Sequence, residues 1–342
     1  MKWYIQTIIN YVLFFTALNI AAAQDSVIPA DCPAVKNPAM KWAVESPSGQ
    51  LFSKDPSVVR FNGKYYMYFS LPGHQVPKVS YGWHVGIAQS EDLTHWESVG
   101  EVIPLCDGCK KGLAAPCARV WDNKVHLFFQ SYGNGAGDAI YYAVSPDGVN
   151  FKMAFDKPIF SPQGDWSNGR AIDADFIEYN GKCYLFAATR DPKGKIQKQC
   201  LAIAKNRNDL APDKWTCVDH AILEPTLSWE GDCIEAATTI VRPDGLYMFY
   251  AGNYNCAPQK IGLAKSKDGI HWNRVWAIPF MTNGSAGQWN SSESGHPCIF
   301  YDDSTKKYWL FYQGSPDKGK SWFLSRVELD WSEETPRLKN EL

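Results

Sequence analysis

One pattern recurs five times along this 342-residue chain. Each copy has a short polar opening, a run of β-branched and apolar residues, a turn with Gly or Asp, and then an aromatic-rich run. The copies open at Asp55, Ala115, Asp173, Glu235 and His296, with 58 to 62 residues between successive openings. Alternating residues on both sides of a short turn predict a β-hairpin in each copy.

A second motif follows the hairpins and keeps the same period. It combines an alternating strand, a turn with Ser, Asp and Gly, and an aromatic residue, as in residues 87–96, 142–151 and 263–272. Each period therefore contains about four strands. Five such units, each burying its faces against its neighbours, predict an all-β fold, a five-bladed β-propeller with four antiparallel strands per blade. Two separate sandwiches are the alternative, but they do not explain one continuous period.

The first 23 residues have the features of a signal peptide. Lys2 precedes a short apolar stretch that ends in three Ala residues at 21–23, and a signal peptidase cleaves after small residues. A membrane anchor is the alternative, but the apolar stretch is short for a span. We therefore expect a secreted or periplasmic protein with the propeller over residues 51–342. Residues 24–50 would be a leader that packs on the outside or helps to close the ring. No later segment is apolar enough to cross a bilayer.

Composition excludes several classes of function. The chain has 34 basic and 36 acidic side chains, and a net charge of −2 does not indicate a nucleic-acid partner. A hydrophobic content of 45% excludes a disordered chain. Aromatic residues make up 14% of the sequence, and some of their rings could present a face to a ligand such as a sugar. Nothing in the sequence indicates an oligomeric state.

Ten cysteines follow the predicted cleavage site. In an oxidising compartment such cysteines can form disulfides, although their spacing does not give the connectivity. Cys106, Cys109 and Cys117 could instead belong to a zinc site, but no second close pair of Cys or His completes the usual spacing. We expect disulfides or buried thiols.

A propeller places repeat-equivalent residues around one axis. The innermost strand of each blade runs along this axis, so the five opening residues are expected to form a ring around a central cavity that contains the active site. Three acids and a histidine in such a ring are hard to explain by packing, because buried carboxylates are costly unless they are paired or functional. The alternative is structural, with these residues capping turns or binding backbone amides.

Carboxylates that converge on one cavity suit the cleavage of a glycosidic bond. One acid protonates the leaving oxygen and another deprotonates a water molecule. A third carboxylate can raise the pKa of the acid by repulsion between like charges.

At these residues the sequence resembles glycoside hydrolase family 43, the five-bladed β-propeller glycosidases of the arabinanase and β-xylosidase type. Residues 54–58 resemble the base motif of the family, residues 171–173 the middle-Asp motif, and residues 234–237 the acid motif. The Ala pair after Glu235 and the Ala after Asp173 differ from the Gly-Pro and the Pro that the family commonly has there.

The resemblance implies a role for each acid. Asp55 would be the general base, Asp173 the pKa modulator and Glu235 the general acid of an inverting glycosidase. It also implies an oligosaccharide or polysaccharide substrate, from which terminal α-L-arabinofuranosyl, β-D-xylosyl or galactosyl units are removed. Because the mechanism needs only proton transfer and water attack, no cofactor is expected to be required.

Three further residues are candidates for binding the substrate. His296 resembles a family histidine that either faces the substrate or helps to hold a central hydrated cation. Calcium prefers oxygen ligands, so a structural calcium ion near His296 is left open. Trp83 and Arg170 lie in loops expected at the cavity mouth, where Trp83 could stack on a sugar and Arg170 could bind hydroxyls or a uronate. Packing between blades is the alternative for Trp83.

Two other functions remain open at this point. The first is a non-catalytic glycan-binding propeller, in which the carboxylates bind hydroxyls or an ion. The second is a related propeller enzyme that uses phosphate instead of water, a glycoside phosphorylase, although no basic cluster is evident at the ring positions.

Overall fold

Strands account for nearly every regular element of the protein. The computed structural model describes residues 34–35, 38–45, 49–76, 79–103 and 105–339, so the predicted signal peptide lies outside the described residues. The helices of the described chain are four short 3-10 turns: Asp107–Cys109, Gly135–Gly137, Pro212–Lys214 and Ser228–Glu230. Within these ranges, none of the helices has the length and hydropathy to span a bilayer.

Five antiparallel sheets form the blades, and the strands of each blade follow one another outwards in chain order. The strands are Lys54–Phe61, Lys64–Leu71, His84–Ser90 and Glu97–Val102 in blade one; Leu113–Trp121, Lys124–Ser131, Ile140–Ser145 and Lys152–Met153 in blade two; Ile172–Tyr179, Lys182–Arg190, Gln197–Ala204 and Thr216–Cys217 in blade three; Ile234–Arg242, Gly245–Gly252, Lys260–Ser266 and Asn273–Arg274 in blade four; and Glu293–Asp302, Lys307–Ser315 and Phe323–Asp330 in blade five. The predicted all-β, five-bladed propeller is confirmed.

The leader supplies the strand that completes blade five. Lys41–Trp42 pairs with Phe323–Asp330 as the fourth strand of that sheet, and Arg337–Leu338 pairs with the same strand. The inner strands of blades one and five also contact each other, so the ring is closed. The propeller therefore begins at Lys41, before the predicted boundary at residue 51. Two short strand pairs lie outside the blades: Val44–Glu45 with Leu51–Phe52, and His74–Val76 with Val79–Tyr81.

The hydrophobic core is divided among the interfaces between neighbouring blades. Five clusters of buried residues each draw their members mainly from two adjacent blades. The second strand of every blade contributes one fully buried aromatic side chain at the same register position: Tyr68, Phe128, Phe186, Phe249 and Phe311. Burying one such side chain stabilises the fold by roughly 1.5–3 kcal/mol, which explains the aromatic run in each repeat.

The second repeated motif is a turn with its own hydrogen bonds. In blade four, Ser266 Oγ accepts a bond of 2.9 Å from the Gly269 N–H, and Asp268 Oδ1 accepts one of 2.9 Å from the Ile270 N–H. Trp272 then packs behind the turn and donates from Nε1 to the Gly269 carbonyl. Blade one has the same arrangement, and blade two has the same two turn bonds with Phe151 in place of the tryptophan. This motif is therefore structural.

The cysteines of the described chain are thiols. None of the nine is in a disulfide, and Cys32 lies outside the described residues. Cys106 Sγ and Cys109 Sγ are 2.9 Å apart. Cys117 lies instead against Asp175 in another cluster, so these three cysteines do not form a zinc site.

A buried ion pair joins the inner strands of three blades. Arg119 of blade two contacts Asp175 of blade three, with 2.6 Å between Nη2 and Oδ1. The other carboxylate oxygen of Asp175 accepts hydrogen bonds from the N–H and the hydroxyl of Thr239 in blade four. Breaking a buried pair by removing one partner leaves an uncompensated charge.

We expect Asp175→Ala to lower the free energy of unfolding by about 3–5 kcal/mol, because it leaves the Arg119 guanidinium without its anion. Urea unfolding followed by tryptophan fluorescence measures this loss. Glu178→Ala is the matched control on the same strand, since Glu178 and Arg207 form an exposed pair that is worth about 0–1 kcal/mol. Equal losses in the two variants would contradict the prediction.

Candidate active site

The inner strands share a backbone feature that builds the site. One residue of each inner strand has a left-handed conformation, with φ between 43° and 53°: Asp55, Ala115, Asp173, Ala236 and His296. Each of them lies where the pairing register with the second strand shifts, as it does at a β-bulge. Together with the residue that follows each of them, they line a narrow space of about 30 Å³ at the axis.

Glu235 does not occupy the ring position that the sequence alignment gives it. Ala236 has the left-handed backbone of blade four, and Glu235 pairs with Ala251 just before the bulge. By register, Glu235 is therefore equivalent to Lys54 of blade one. The alignment matched acidic side chains, whereas the bulge is a property of the backbone. The Glu235 carboxylate nevertheless reaches the same site.

Side chains of neighbouring blades hold the bulges in place. The N–H of Asp55 donates to Gln313 Oε1 at 3.0 Å, and the N–H of Asp173 donates to Gln130 Oε1 at 2.7 Å. In each case the acceptor comes from the second strand of the preceding blade. A left-handed residue other than Gly costs roughly 1–3 kcal/mol and persists only where its surroundings fix it. The two acids are therefore presented to the axis by a rigid backbone.

His296 lies between two of the carboxylates. Its Nδ1 is 2.8 Å from Asp55 Oδ1, and its Nε2 is 3.2 Å from Glu235 Oε1. Burial by itself lowers the pKa of His296, but the neighbouring carboxylates, Asp55 foremost, raise it well above its usual value. The imidazole is therefore a buried cation that separates Asp55 from Glu235.

The same contacts keep these two acids ionised. Burial raises the pKa of Asp55, but the charges of His296 and Lys54 outweigh it and hold this pKa below its usual range. Burial also raises the pKa of Glu235, and the hydrogen bond and charge of His296, with Lys54 and Gln259, bring it below the usual value. Lys54 itself lies over the Trp322 ring, 4.5 Å from its centroid.

Asp173 differs from the other two acids. Its pKa is raised to about 7. Burial is the main cause, the charges of Glu235 and Asp55 also raise the pKa, and the charge of His296 lowers it. Its Oδ2 atom is buried and accepts no hydrogen bond from any described residue. Among the three carboxyls of the site, Asp173 is therefore the one whose pKa is raised above its usual value.

Two glutamines hold the Glu235 carboxylate. Gln259 Nε2 donates to Oε1 at 2.7 Å, and Gln197 Nε2 donates to Oε2. Arg190 Nε donates to Gln197 Oε1 at 3.0 Å, which fixes the orientation of that amide because a guanidinium can only donate. Sequence reasoning missed all three residues, since they belong to no motif. Arg190 ends the second strand of blade three, Gln197 begins its third strand, and Gln259 directly precedes the third strand of blade four.

A cavity of about 150 Å³ opens above the carboxylates. Trp83, Arg170 and His296 line it as predicted, together with Tyr132 and Tyr254, which sequence reasoning missed. Trp83 also packs against Phe52 and Tyr132, with ring centroids 5.6 and 5.3 Å apart. It therefore serves both packing and the cavity wall. Trp166 is not among the lining residues, and its indole donates to the Gln163 carbonyl.

Three donor groups of the site are close enough to share a metal ion. Ligand atoms of Asp173, Glu235 and His296 all lie within 4.8 Å of one another. Both nitrogens of His296 face carboxylates, and calcium prefers oxygen ligands. The carboxylates of Asp173 and Glu235 are therefore the better donors, and a calcium ion near His296 stays a prediction.

The fold and the site together define a class, the five-bladed propellers that bring carboxylates together at the axis to act on glycans. The profile of glycosyl hydrolases family 43 matches residues 44–335. The chain belongs to this family and is an O-glycoside hydrolase. This confirms the resemblance seen in the sequence. At the level of sequence, no curated protein matches the chain.

Solved structures with the same fold include three similar ones. A thermostable family-43 glycoside hydrolase has a TM-score of 0.66 and 20% identity, over 84% of this chain and 92% of its own. An alpha-L-arabinofuranosidase from Lactobacillus brevis has a TM-score of 0.67 and 16% identity, over 90% and 97%. An exo-1,5-alpha-L-arabinanase from a bovine ruminal metagenomic library has a TM-score of 0.61 and 16% identity, over 86% and 99%.

The raised pKa of Asp173 predicts a pH-dependent stability. A carboxyl whose pKa is raised from 3.8 to about 7 by folding stabilises the folded state at acid pH, and this stabilisation is lost as the pH rises through that window. Asp173→Asn removes the titration. We therefore expect the free energy of unfolding of the variant, relative to wild type, to increase by more than about 1 kcal/mol from about pH 5 to about pH 7.

Urea unfolding at several pH values measures this difference. Glu178→Gln changes an exposed carboxyl of the same strand and is the control for the loss of one negative charge. A difference between Asp173→Asn and wild type that stays constant with pH would show that Asp173 titrates normally.

Proposed function

We propose that the protein is a secreted, inverting glycosidase that removes terminal α-L-arabinofuranosyl, β-D-xylosyl or galactosyl units from plant cell-wall-type glycans. The observation that carries this proposal is the pair Asp55 and Glu235. Their carboxylates contact opposite nitrogens of His296, and both line one small cavity. Secretion is supported by the signal-peptide features of residues 1–23.

Asp55 is suited to be the general base. Its carboxylate stays ionised because His296 and Lys54 stabilise the charge against the cost of burial. Inverting glycosidases hold their two carboxyls roughly 6.5–9.5 Å apart so that a water molecule fits between the base and the sugar. The imidazole ring between Asp55 and Glu235 keeps the two carboxylates apart. Asp55 can then activate the water molecule while Glu235 protonates the leaving oxygen.

Glu235 is suited to be the general acid once it takes up the proton that Asp173 holds. Oxygen atoms of the two carboxyls lie within 4.8 Å of each other, so the two groups titrate as a coupled pair. A glycosidic oxygen bound beside Glu235 favours its protonated form, since only that form donates a hydrogen bond. Asp173, then ionised, raises the pKa of Glu235 by repulsion.

Removal of terminal sugars is supported by the size of the site. A cavity of about 150 Å³ is on the scale of one monosaccharide, so one sugar enters it and the rest of the glycan extends outwards. The names of two structural neighbours, an alpha-L-arabinofuranosidase and an exo-1,5-alpha-L-arabinanase, support arabinofuranosyl units among the three proposed sugars. The mechanism needs water and two carboxyls, and no cofactor.

Substitution of the two acids is expected to abolish turnover in different ways. Asp55→Asn should lower kcat by about 10²–10⁴-fold on every substrate, because water is no longer activated. Glu235→Gln should lower kcat by a similar factor on oligosaccharides but much less on dinitrophenyl glycosides, whose leaving group needs no proton. Initial rates on a panel of aryl glycosides and plant oligosaccharides, with analysis of released monosaccharide, measure both effects.

Glu178→Gln serves as the control for folding and charge and should keep wild-type rates. NMR of the first-formed product reports the anomeric configuration, which should be inverted. Wild-type activity in Asp55→Asn and Glu235→Gln, or a product of retained configuration, would overturn the assignment.

A further inference from the structure

One wall of the cavity carries two arginines from blade three. Arg170 precedes the inner strand Ile172–Tyr179, and Arg190 ends the second strand Lys182–Arg190. The Asn168 N–H donates to the Arg190 carbonyl at 3.0 Å, so the two backbone segments lie side by side. Both side chains line the cavity above the carboxylates. We call this surface the arginine wall.

Each guanidinium of the arginine wall is anchored through its Nε atom. Arg170 Nε lies 3.5 Å from Asp138 Oδ2, and Arg190 Nε donates to Gln197 Oε1. Arg190 also lies over the Tyr254 ring, 5.6 Å from its centroid. Throughout the described ranges, no residue accepts a hydrogen bond from the terminal nitrogens of either arginine. These nitrogens are therefore available to a ligand.

The charge of the arginine wall is only partly balanced. Arg170 has the buried carboxylate of Asp138 as its partner. Arg190 has only the neutral Gln197 and the Tyr254 ring, and no described carboxylate lies within ion-pair distance of it. A neutral sugar that covered this wall would desolvate a cation without pairing it, which is unfavourable. A carboxylate matches the planar, two-pronged donor geometry of a guanidinium.

We propose that the arginine wall binds the carboxylate of a uronic acid residue adjacent to the sugar that is released. This inference rests on the proposed function and narrows its substrate to acidic glycans. The floor of the site already contains Asp55, Asp173 and Glu235, which disfavour a second anion there, so the released sugar is neutral and the uronate lies against the wall.

Inorganic phosphate is the other oxyanion that such a wall could bind, as a phosphorolytic enzyme would require. The favoured ligand is the sugar carboxylate, because the chain belongs to a hydrolase family and water is the nucleophile that the carboxylates of the site activate. Phosphate is therefore an outcome that the experiment must separate.

The test measures binding apart from turnover. In an Asp55→Asn background, calorimetry compares glucuronosyl-xylotriose with xylotriose, and galactosyl-galacturonate with galactobiose. We expect at least about tenfold tighter binding of the acidic member of one pair, and this preference should weaken at high salt. Adding Arg170→Gln or Arg190→Gln should remove it. Arg207→Gln, an exposed arginine of the same blade paired with Glu178, should leave it unchanged.

The ratio between acidic and neutral ligands is the decisive quantity, because Arg190 also orients Gln197 and its loss can affect both ligands. Equal affinities within each pair, or arginine variants that weaken both members equally, would overturn the inference. Binding of inorganic phosphate instead of the uronates, with phosphate-dependent turnover in wild type, would also overturn it. Uronate preference without hydrolysis by wild type would overturn the proposed function alone, and hydrolysis without that preference would overturn only the inference.

Discussion

The left-handed bulge repeated in every inner strand is the constraint on which the site depends. It turns one side chain of each blade towards the axis and breaks the pairing with the second strand at that point. A side chain of the preceding blade satisfies the freed N–H of Asp55 and of Asp173. The geometry of one blade therefore requires the next one, and the strain is tolerated only in the closed ring.

This ring concentrates charges that would not coexist in an open structure. Three carboxyls, one imidazole and Lys54 lie in a buried space where burial alone would neutralise them. The cations His296 and Lys54 keep Asp55 and Glu235 ionised, which leaves Asp173 as the group that retains a proton. The proposed roles of Asp55 as general base and Asp173 as proton reserve thus follow from their positions relative to His296, since the three acids have similar intrinsic pKa values.

Sequence reasoning predicted the architecture and most of the site, and its errors were local. The period near 60 residues indicated five blades because each blade repeats a buried aromatic at the same register position, and blades one, two and four also repeat the Ser-Asp turn. Asp55, Asp173 and His296 were placed correctly on the axis, but Glu235 was assigned to a position that belongs to Ala236. A bulge inserts one residue without a sequence signature, so an alignment by side-chain chemistry can slip by one. Of the two expectations for the leader, the structure agrees with a role in closing the ring, because Lys41–Trp42 contributes a strand to blade five.

The repeat, the strand content and the identity of the acids follow from the amino-acid sequence alone, because hydrophobic alternation and spacing are local properties of the chain. Which side chains meet depends on the tertiary structure. Gln197 and Gln259 reach Glu235 from the start of two third strands that no motif marks. Arg170 and Arg190 converge because the first strand of blade three begins at the side of the ring where its second strand ends. Such contacts depend on the closure of five blades around one axis, which brings residues far apart in the chain into one cavity.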